Sequence, residues 1–303
     1  MHKSVLLDES IEALNIKDGS IIVDCTLGYG GHSSEILKRV GNGYLYSFDQ
    51  DVDAIKYSDE RLKQISNNYE IIKSNFVNIR AEFYKRNIKR VDGILYDLGV
   101  SSPQLDTDTR GFSFHNDARL DMRMDKSNPL DAYRVVNEYS YEDLMRIFRE
   151  YGEEKYASSI AKGIIKSRPI TTTLELVEVI KANVPEKYRR EKHPARKVFQ
   201  AIRIEVNDEL NVFEKSLKDS LELLNVGGRI CVITFHSLED KICKNIFKSV
   251  SEVDSALKRL PIIPEGLRPK YKVLKSITPS DTELEKNNRA RSAKLRIIER
   301  VSE

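Results

Sequence analysis

Cysteines and long apolar runs are both scarce in this 303-residue sequence. The three cysteines, Cys25, Cys231 and Cys243, are an odd number without paired spacing, so neither a disulfide framework nor a structural zinc site is expected. The longest apolar stretch, residues 230–235, is far shorter than the roughly 18 residues of a membrane span. The short apolar run near the N-terminus does not fit a secretory signal. We therefore expect a cytoplasmic protein without a membrane partner.

Charge is unevenly distributed along the chain. The net charge is +3, and 40% of the residues are hydrophobic, which is enough for a folded core. Residues 187–203, the first basic patch, carry +6, and residues 286–300, the second basic patch, carry +5. The remainder is acidic. Two basic patches on an acidic body suit a polyanionic partner such as nucleic acid, although two solvated helix faces would give the same pattern.

Strand-like and helix-like segments alternate along the first 100 residues, which predicts an α/β fold with a doubly wound, parallel sheet. The predicted strands of this part are residues 20–25, 44–48, 69–73 and 91–96. From about residue 106 to 207 the sequence is helical, with one amphipathic run at 141–165 and a helix start at 171–173. We predict an α/β domain, residues 1–106 and 208–303, interrupted by an all-helical domain, residues 107–207.

The sheet pattern resumes after the predicted helical insertion. A helix at 212–224 is followed by a turn at Gly227 and Gly228, and a buried strand is predicted at 229–235. Residues 271–275 and 294–301 are predicted to form a final hairpin pair.

A glycine cluster lies between the first predicted strand and the helix that follows. Asp24 precedes Gly28, Gly30 and Gly31, and glycines at such a turn let the backbone approach a ligand closely. A dinucleotide site needs G-x-G-x-x-G, whose last glycine is missing, so S-adenosylmethionine is favoured over a dinucleotide. Asp49 ends the next strand and can accept hydrogen bonds from the ribose hydroxyls. A plain tight turn remains an alternative.

The fourth strand ends in a polar loop that contains Asp97, Ser101, Pro103 and Gln104. In methyltransferases that act on amino groups, the corresponding loop carries a polar-proline motif that holds the amine. The lone pair of a nucleobase amine is delocalised into the ring, so acceptors that orient its N–H bonds assist methyl transfer. Asp97 and Ser101 are the candidate catalytic residues. The competing interpretation is a loop whose Ser-Pro pair only ends the strand.

The positions of the cysteines disfavour methylation at cytosine C5, which needs a thiolate that adds to the ring. No cysteine lies between Asp97 and Gln104, while Cys231 falls within the fifth strand and Cys243 on the next helix. Direct transfer to the exocyclic amine is therefore favoured.

Several longer strings resemble the MraW (RsmH) family of bacterial methyltransferases, which modify N4 of a cytidine in 16S ribosomal RNA. They occur in family order from one end of the chain to the other. The matching strings include HKSVLLDE at 2–9, GGHS at 30–33, YDLGVSSPQLD at 96–106, RGFSF at 110–114, LDMRMD at 120–125, HPAR at 193–196, FQAIR at 199–203, VNDEL at 206–210, TFHSLED at 234–240 and RARSAKLR at 289–296.

The resemblance implies a class I methyltransferase fold with an inserted helical domain that recognises RNA. It implies that S-adenosylmethionine is bound by Gly30, Gly31, His32, Asp49, Phe76, Asp97 and Gln104. It also implies a target cytidine in the decoding region of 16S rRNA in the small ribosomal subunit, with no metal required. His236 either contacts the target base or has a structural role. From the basic patches we predict RNA contacts at Arg196, Lys197, Arg203, Arg289 and Arg291.

Two other functions stay open. One is an RNA-binding assembly factor that holds the cofactor without depending on catalysis. The other is a methyltransferase for DNA or a small molecule. The sequence also leaves open whether the protein is a homodimer, and whether naked RNA or the assembled subunit is its substrate.

Overall fold

The computed structural model describes residues 4–100, 109–191, 193–253 and 264–303, without the side chains of Glu265, Asn288 and Arg289. The chain divides into two compact units. The α/β unit consists of Met1–Gly99 and Leu210–Glu303, and the helical unit is Val100–Glu209. Among the described residues, every helix is too short or too polar to cross a membrane.

A seven-stranded sheet forms the centre of the α/β unit, with the strand order β3-β2-β1-β4-β5-β7-β6. Neighbouring strands among the first five pair in parallel, whereas β7 is antiparallel to both β5 and β6. The strands are β1 Ile21–Asp24, β2 Tyr44–Asp49, β3 Tyr69–Lys73, β4 Val91–Asp97, β5 Leu224–Thr234, β6 Tyr271–Val273 and β7 Lys294–Arg300. This topology confirms the predicted class I methyltransferase fold, a doubly wound sheet with an antiparallel strand near one edge.

Helices pack on the sheet, whose central strands are buried on both faces. Ile22 and Leu95 belong to one apolar cluster, while their chain neighbours Val23 and Ile94 belong to another, because successive strand residues point to opposite faces. Numbered in chain order over the whole protein, the helices of this unit are α1 Leu7–Leu14, α2 Gly31–Leu37, α3 Val52–Lys63, α4 Ile79–Lys85, α11 Glu209–Leu223, α12 Ser237–Ser251 and α13 Asp281–Lys286. The sequence analysis did not predict α1, α4 and α13.

The predicted turn at Gly227 and Gly228 lies inside β5, which begins five residues earlier than predicted. The register of β5 against β4 jumps from Leu224 opposite Val91 to Arg229 opposite Gly93. The residues between form an irregularity in the strand, and Gly227 has a φ of +83°. The predicted hairpin pair corresponds to β6 and β7, which pair antiparallel.

The helical unit packs its own apolar core, formed from residues of all its longer helices. Its helices are α5 Ala132–Glu138, α6 Tyr141–Glu150, α7 Ala157–Ser167, α8 Thr173–Ala182, α9 Glu186–Glu191 and α10 Ala195–Asn207. Thr172 caps α8 in a capping box with Glu175, which confirms the predicted helix start. The role of residues 107–207 in RNA recognition stays a prediction.

The amphipathic run predicted at residues 141–165 is helical but is divided between two helices, α6 and α7. The N–H groups of Tyr151 and Gly152 both donate to the carbonyl of Ile147, which closes the end of α6. Glu153 then adopts a left-handed φ of +48°, so the chain leaves the helical path before α7 begins. The apolar periodicity continues across this break because both helices face the same core.

Candidate functional site

Polar residues follow the carboxyl ends of the four parallel strands β1 to β4, which meet at one edge of the sheet. This is the edge at which doubly wound sheets bind their ligands. The predicted cofactor residues found here are Gly30, Gly31, His32, Asp49, Phe76 and Asp97. Two predicted residues, Ser101 and Gln104, lie outside the described part of the chain.

Asp24 and Thr26 join the end of β1 to the end of β4. The buried carboxylate of Asp24 accepts hydrogen bonds from the hydroxyl of Ser33 at 2.6 Å and from the N–H of Thr26 at 3.0 Å. The hydroxyl oxygen of Thr26 accepts a hydrogen bond from the N–H of Asp97 at 2.7 Å. The sequence analysis did not assign a role to Thr26.

The glycine loop needs its glycines for backbone conformation and for close packing. Gly28 and Gly30 have left-handed φ values of +49° and +73°, which disfavour any residue with a side chain. A Cβ atom on Gly31 would lie 1.9 Å from the hydroxyl oxygen of Ser4. The loop is therefore closely fitted to its surroundings.

Both carboxylate oxygens of Asp49 are bound by backbone amides. The N–H of Gly28 donates to Oδ2 at 2.8 Å and the N–H of Asp51 donates to Oδ1 at 2.9 Å. Burial raises the pKa of Asp49 to about 6, although these two amides oppose the shift. The carboxylate is thus ionised at neutral pH, and its remaining lone pairs can accept further hydrogen bonds.

Asp97 and His32 form a pair in which each has a buried atom without a hydrogen-bond partner among the described residues. Nδ1 of His32 lies 3.5 Å from Oδ2 of Asp97, while His32 Nε2 and Asp97 Oδ1 are unpartnered. Burial, together with the nearby carboxylates of Asp24 and Glu239, raises the pKa of Asp97 to about 8. Burial lowers the pKa of His32 below its usual value, partly offset by Asp24. Both unpartnered atoms can form a hydrogen bond with a ligand.

Phe76 begins a short 3-10 helix, Phe76–Asn78, directly after β3. The side chain of Asn75 caps this turn by accepting from the N–H of Val77 at 2.9 Å. The half-buried ring of Phe76 meets the ring of Tyr96 edge to face, with 5.6 Å between the ring centroids. Phe76 is therefore held in place at the same edge as Asp49.

His236, which sequence analysis left between two roles, caps helix α12. Its Nδ1 accepts from the N–H of Glu239 at 3.5 Å, and the Glu239 carboxylate accepts from the N–H groups of Phe235 and His236. This reciprocal arrangement is a capping box, which favours the structural role. The string HSLE at 236–239 has the capping-box spacing, but histidine is an uncommon cap, so the signal was missed.

The residues predicted to contact RNA differ in how exposed their side chains are and in whether they already have a partner. Arg196 and Arg291 are exposed, and Nζ of Lys197 donates to a backbone carbonyl at 2.6 Å. Arg203 forms a two-pronged ion pair with Glu209, at 2.7 and 2.9 Å, and its side chain is 17% exposed. An RNA contact by Arg203 would require this pair to break, and the side chain of Arg289 lies outside the description.

Two carboxylates and a glycine loop at this edge fit a ligand that carries hydroxyls and a positive charge. The loop amide of Gly28 already donates to Asp49, and neighbouring carboxylates would repel a pyrophosphate. The unpartnered Oδ1 of Asp97 can accept a hydrogen bond or lie near a cation. The arrangement thus fits S-adenosylmethionine, which is cationic and has no phosphate.

Comparisons with known proteins identify the family of the chain. A family model described as the MraW methylase family matches residues 1–301. A ribosomal RNA small subunit methyltransferase H from Exiguobacterium sibiricum is 54% identical, covering 100% of this chain and 99% of its own, and one from Finegoldia magna is 52% identical over 99% and 98%. An rRNA methylase structure from Streptococcus thermophilus is 13% identical, with a TM-score of 0.44, covering 100% of this chain and 99% of that one. These matches confirm S-adenosylmethionine as the cofactor, and the chain belongs to the MraW methylase family.

Proposed function

We propose that this protein transfers the methyl group of S-adenosylmethionine directly to the N4 amine of a cytidine in the decoding region of 16S rRNA. The proposal is supported by curated relatives that are named ribosomal RNA small subunit methyltransferase H at 52–55% identity. The observation that carries the chemistry is the buried Oδ1 of Asp97, which has no partner among the described residues. An acceptor in that state suits the N–H group of an amine.

Residues at the strand ends would bind different parts of the cofactor. Asp49 would accept hydrogen bonds from the ribose hydroxyls, and the ring of Phe76 would pack on the adenine face. The backbone at Gly30 and Gly31, together with His32, would pass close to the methionine part. When bound, the cofactor supplies an electrophilic methyl group on a positively charged sulfur.

Asp97 would serve the acceptor base as well as the cofactor. A nearby cation stabilises its ionised form, so ligand binding should lower its raised pKa. The ionised carboxylate would then orient the amine by accepting from an N–H bond, together with Ser101 and Gln104 from the following loop. A base inside folded RNA must first be splayed from its stack to reach such a pocket.

The thiols of this protein are poorly suited to the covalent route that C5 methylation uses. Cys25, Cys231 and Cys243 are all buried, and burial raises the pKa of each, that of Cys231 to about 12. A thiol with such a pKa is not a thiolate at neutral pH. Direct transfer to the exocyclic amine needs no thiolate.

The test is methyl transfer from labelled S-adenosylmethionine to small ribosomal subunits that lack the modification. Naked 16S RNA and duplex DNA are assayed in parallel, and the product nucleoside is identified by mass spectrometry. We expect N4-methylcytidine in the subunit RNA with the wild type and none with Asp97→Ala. Cofactor binding without transfer to any RNA would reject the proposed function and favour an assembly factor.

A further inference from the structure

The helical unit has a surface pocket of about 430 Å³ that the proposed active site does not use. We name it the lysine pocket, after the two cationic side chains that line it. Its lining residues are Lys155, Tyr156, Ser158, Ser159, Lys162 and Asn183. All of them belong to the helical unit, and none lies in either basic patch.

Tyrosine rings hold the two ammonium groups of the pocket. Nζ of Lys155 lies 5.0 Å from the ring centroid of Tyr156 and 4.9 Å from that of Tyr188, so it contacts two rings. Nζ of Lys162 lies 5.9 Å from the ring centroid of Tyr141. Within the part of the chain that the structure describes, neither lysine is ion-paired with a carboxylate. Cation–π contacts order an ammonium group but leave its charge uncompensated.

The carboxylate beside the pocket is already engaged by other groups. Glu154 is buried, and its two oxygens accept hydrogen bonds from the N–H of Tyr156 at 2.9 Å and the hydroxyl of Tyr188 at 2.7 Å. The same tyrosines thus fix both Glu154 and Lys155. The hydroxyl of Ser158 also lines the pocket and can donate to a ligand while it accepts from the hydroxyl of Tyr141 at 2.8 Å, whereas the hydroxyl of Ser159 already donates to the carbonyl of Asn183 at 2.6 Å. The surface therefore offers positive charge and polar groups together.

Charge is unevenly distributed along the sequence of the helical unit, and all residues that line the pocket come from its basic segment. Residues 100–154 contain seven basic and twelve acidic side chains. Residues 155–197 contain eleven basic and four acidic side chains, starting with Lys155 itself. The excess of basic side chains in the second segment favours contact with a polyanion.

We infer that the lysine pocket binds the phosphodiester backbone of the RNA substrate. The inference rests on the proposed function for the identity of the RNA, and it adds a contact site beyond the two basic patches. Two unpaired ammonium groups in a pocket of this volume can take a phosphate together with its sugar. Contacts to phosphates orient an RNA without reading its sequence, so the site would position the substrate and leave base choice to the active site.

The test uses the salt dependence of RNA binding by the full-length protein. A fluorescein-labelled single-stranded oligouridylate is titrated with protein, and anisotropy gives the binding constant between about 50 and about 200 mM salt. Each phosphate contact adds about 0.7 to the slope of log K against log salt for a single strand. Because the two lysines would hold one phosphate, we expect the slope to fall by about 0.7 in the double variant Lys155→Gln/Lys162→Gln and by less in each single variant.

Two variants serve as matched controls. Lys166→Gln removes one positive charge from an exposed position on α7, the helix that also contains Lys162. Lys166 lies outside the pocket lining, so this variant should leave the slope unchanged. Lys155→Arg keeps the charge and the ring contacts and should keep the wild-type slope. Thermal unfolding of each variant confirms that the helical unit is folded.

The inference is overturned if the double variant keeps the wild-type slope, if Lys166→Gln lowers the slope equally, or if the wild type does not bind the oligonucleotide. Methylation assays on the same preparations separate this result from the proposed function. If the wild-type protein methylates subunits but the salt slope is the same with and without the two lysines, only the inference about the pocket is overturned. A lysine-dependent slope without methylation supports the pocket and overturns only the proposed function.

Discussion

Asp49 and Asp97 end the two strands that flank β1, and the same residue type has opposite surroundings at the two positions. Both oxygens of Asp49 accept hydrogen bonds from backbone amides. Asp97 has one buried oxygen without a partner in the described residues, and its other oxygen lies 3.5 Å from His32. Asp49 is thus a preorganised acceptor, whereas Asp97 keeps an acceptor oxygen that no described residue uses.

The pKa values follow from that difference. Backbone amides counteract the effect of burial at Asp49, whose pKa is about 6. At Asp97 the neighbouring carboxylates of Asp24 and Glu239 act in the same direction as burial, and its pKa is about 8. At neutral pH Asp49 is therefore ionised before any ligand binds, whereas Asp97 is largely protonated.

The largest effect should come from Asp97→Asn, which removes the charge with little change in shape. We expect kcat to fall about 10²- to 10³-fold, because the acceptor acts on groups that gain positive charge during transfer. Single turnovers at saturating labelled cofactor measure this. Asp49→Asn is the matched comparison and should keep most of kcat. Equal losses of kcat in both variants would contradict the division of roles.

The second effect concerns cofactor affinity at Asp49. Loss of hydrogen bonds from the ribose to a charged acceptor costs about 1.5–3 kcal/mol, so Asp49→Asn should weaken S-adenosylmethionine binding about 10- to 100-fold. Isothermal titration calorimetry gives the dissociation constant. An unchanged constant would show that the ribose is held elsewhere.

The third effect is on the stability of the cofactor-free protein between about pH 6.5 and about pH 8.5. The raised pKa means that folded Asp97 keeps a proton that the unfolded chain releases. The resulting stability is fully present below the unfolded pKa and is lost as pH rises through about 8. His32, with its lowered pKa, acts with the opposite sign and mainly below its usual pKa. Asp49, with a pKa of about 6, is largely ionised in this window.

Denaturant unfolding at several pH values tests this sign. The free energy of unfolding should fall by at most about 1.4 kcal/mol per pH unit in the wild type. Asp97→Asn should lack the part of this pH dependence that comes from Asp97. At about pH 8.5 the variant should be more stable than the wild type. A wild-type stability that rises across the window, or a variant with the same slope, would show that Asp97 is ionised in the free protein.

The smallest effect should come from His236, which lies next to the Glu239 that raises the pKa of Asp97. His236→Ala should destabilise the protein by about 1 kcal/mol through loss of the helix cap, and His236→Asn should restore most of it. Thermal unfolding and kcat are compared for both variants. A loss of kcat that Asn does not restore would instead indicate contact with the substrate.

Much of the fold could be predicted because strand signals are local. The third strand was predicted at residues 69–73 and lies at Tyr69–Lys73, because β-branched residues and the following Ser-Asn pair mark it. The break between α6 and α7 could not be predicted, since the apolar pattern passes through it unchanged. It depends on backbone hydrogen bonds at Gly152 and on the left-handed Glu153, which periodicity does not encode.

The candidate site was predictable in its residues but not in its contacts. The loop glycines, Asp49 and Asp97 carry signals at strand ends, and the structure brings them to one edge. The hydrogen bond from the N–H of Asp97 to the hydroxyl of Thr26 joins residues 71 positions apart, so no local sequence pattern predicts it. The unpartnered oxygen of Asp97 is likewise a property of the folded surroundings.

The pairing of β4 with β5 also has a consequence for synthesis of the chain. Leu95 lies opposite Cys231, and the whole helical unit is made between them. At about 5–20 residues per second, β4 waits about 7–27 seconds for its neighbour. Throughout that interval the nascent sheet has an open strand edge, the kind of surface on which chains aggregate. Aggregation of nascent chains is therefore most expected in the interval between synthesis of β4 and synthesis of β5.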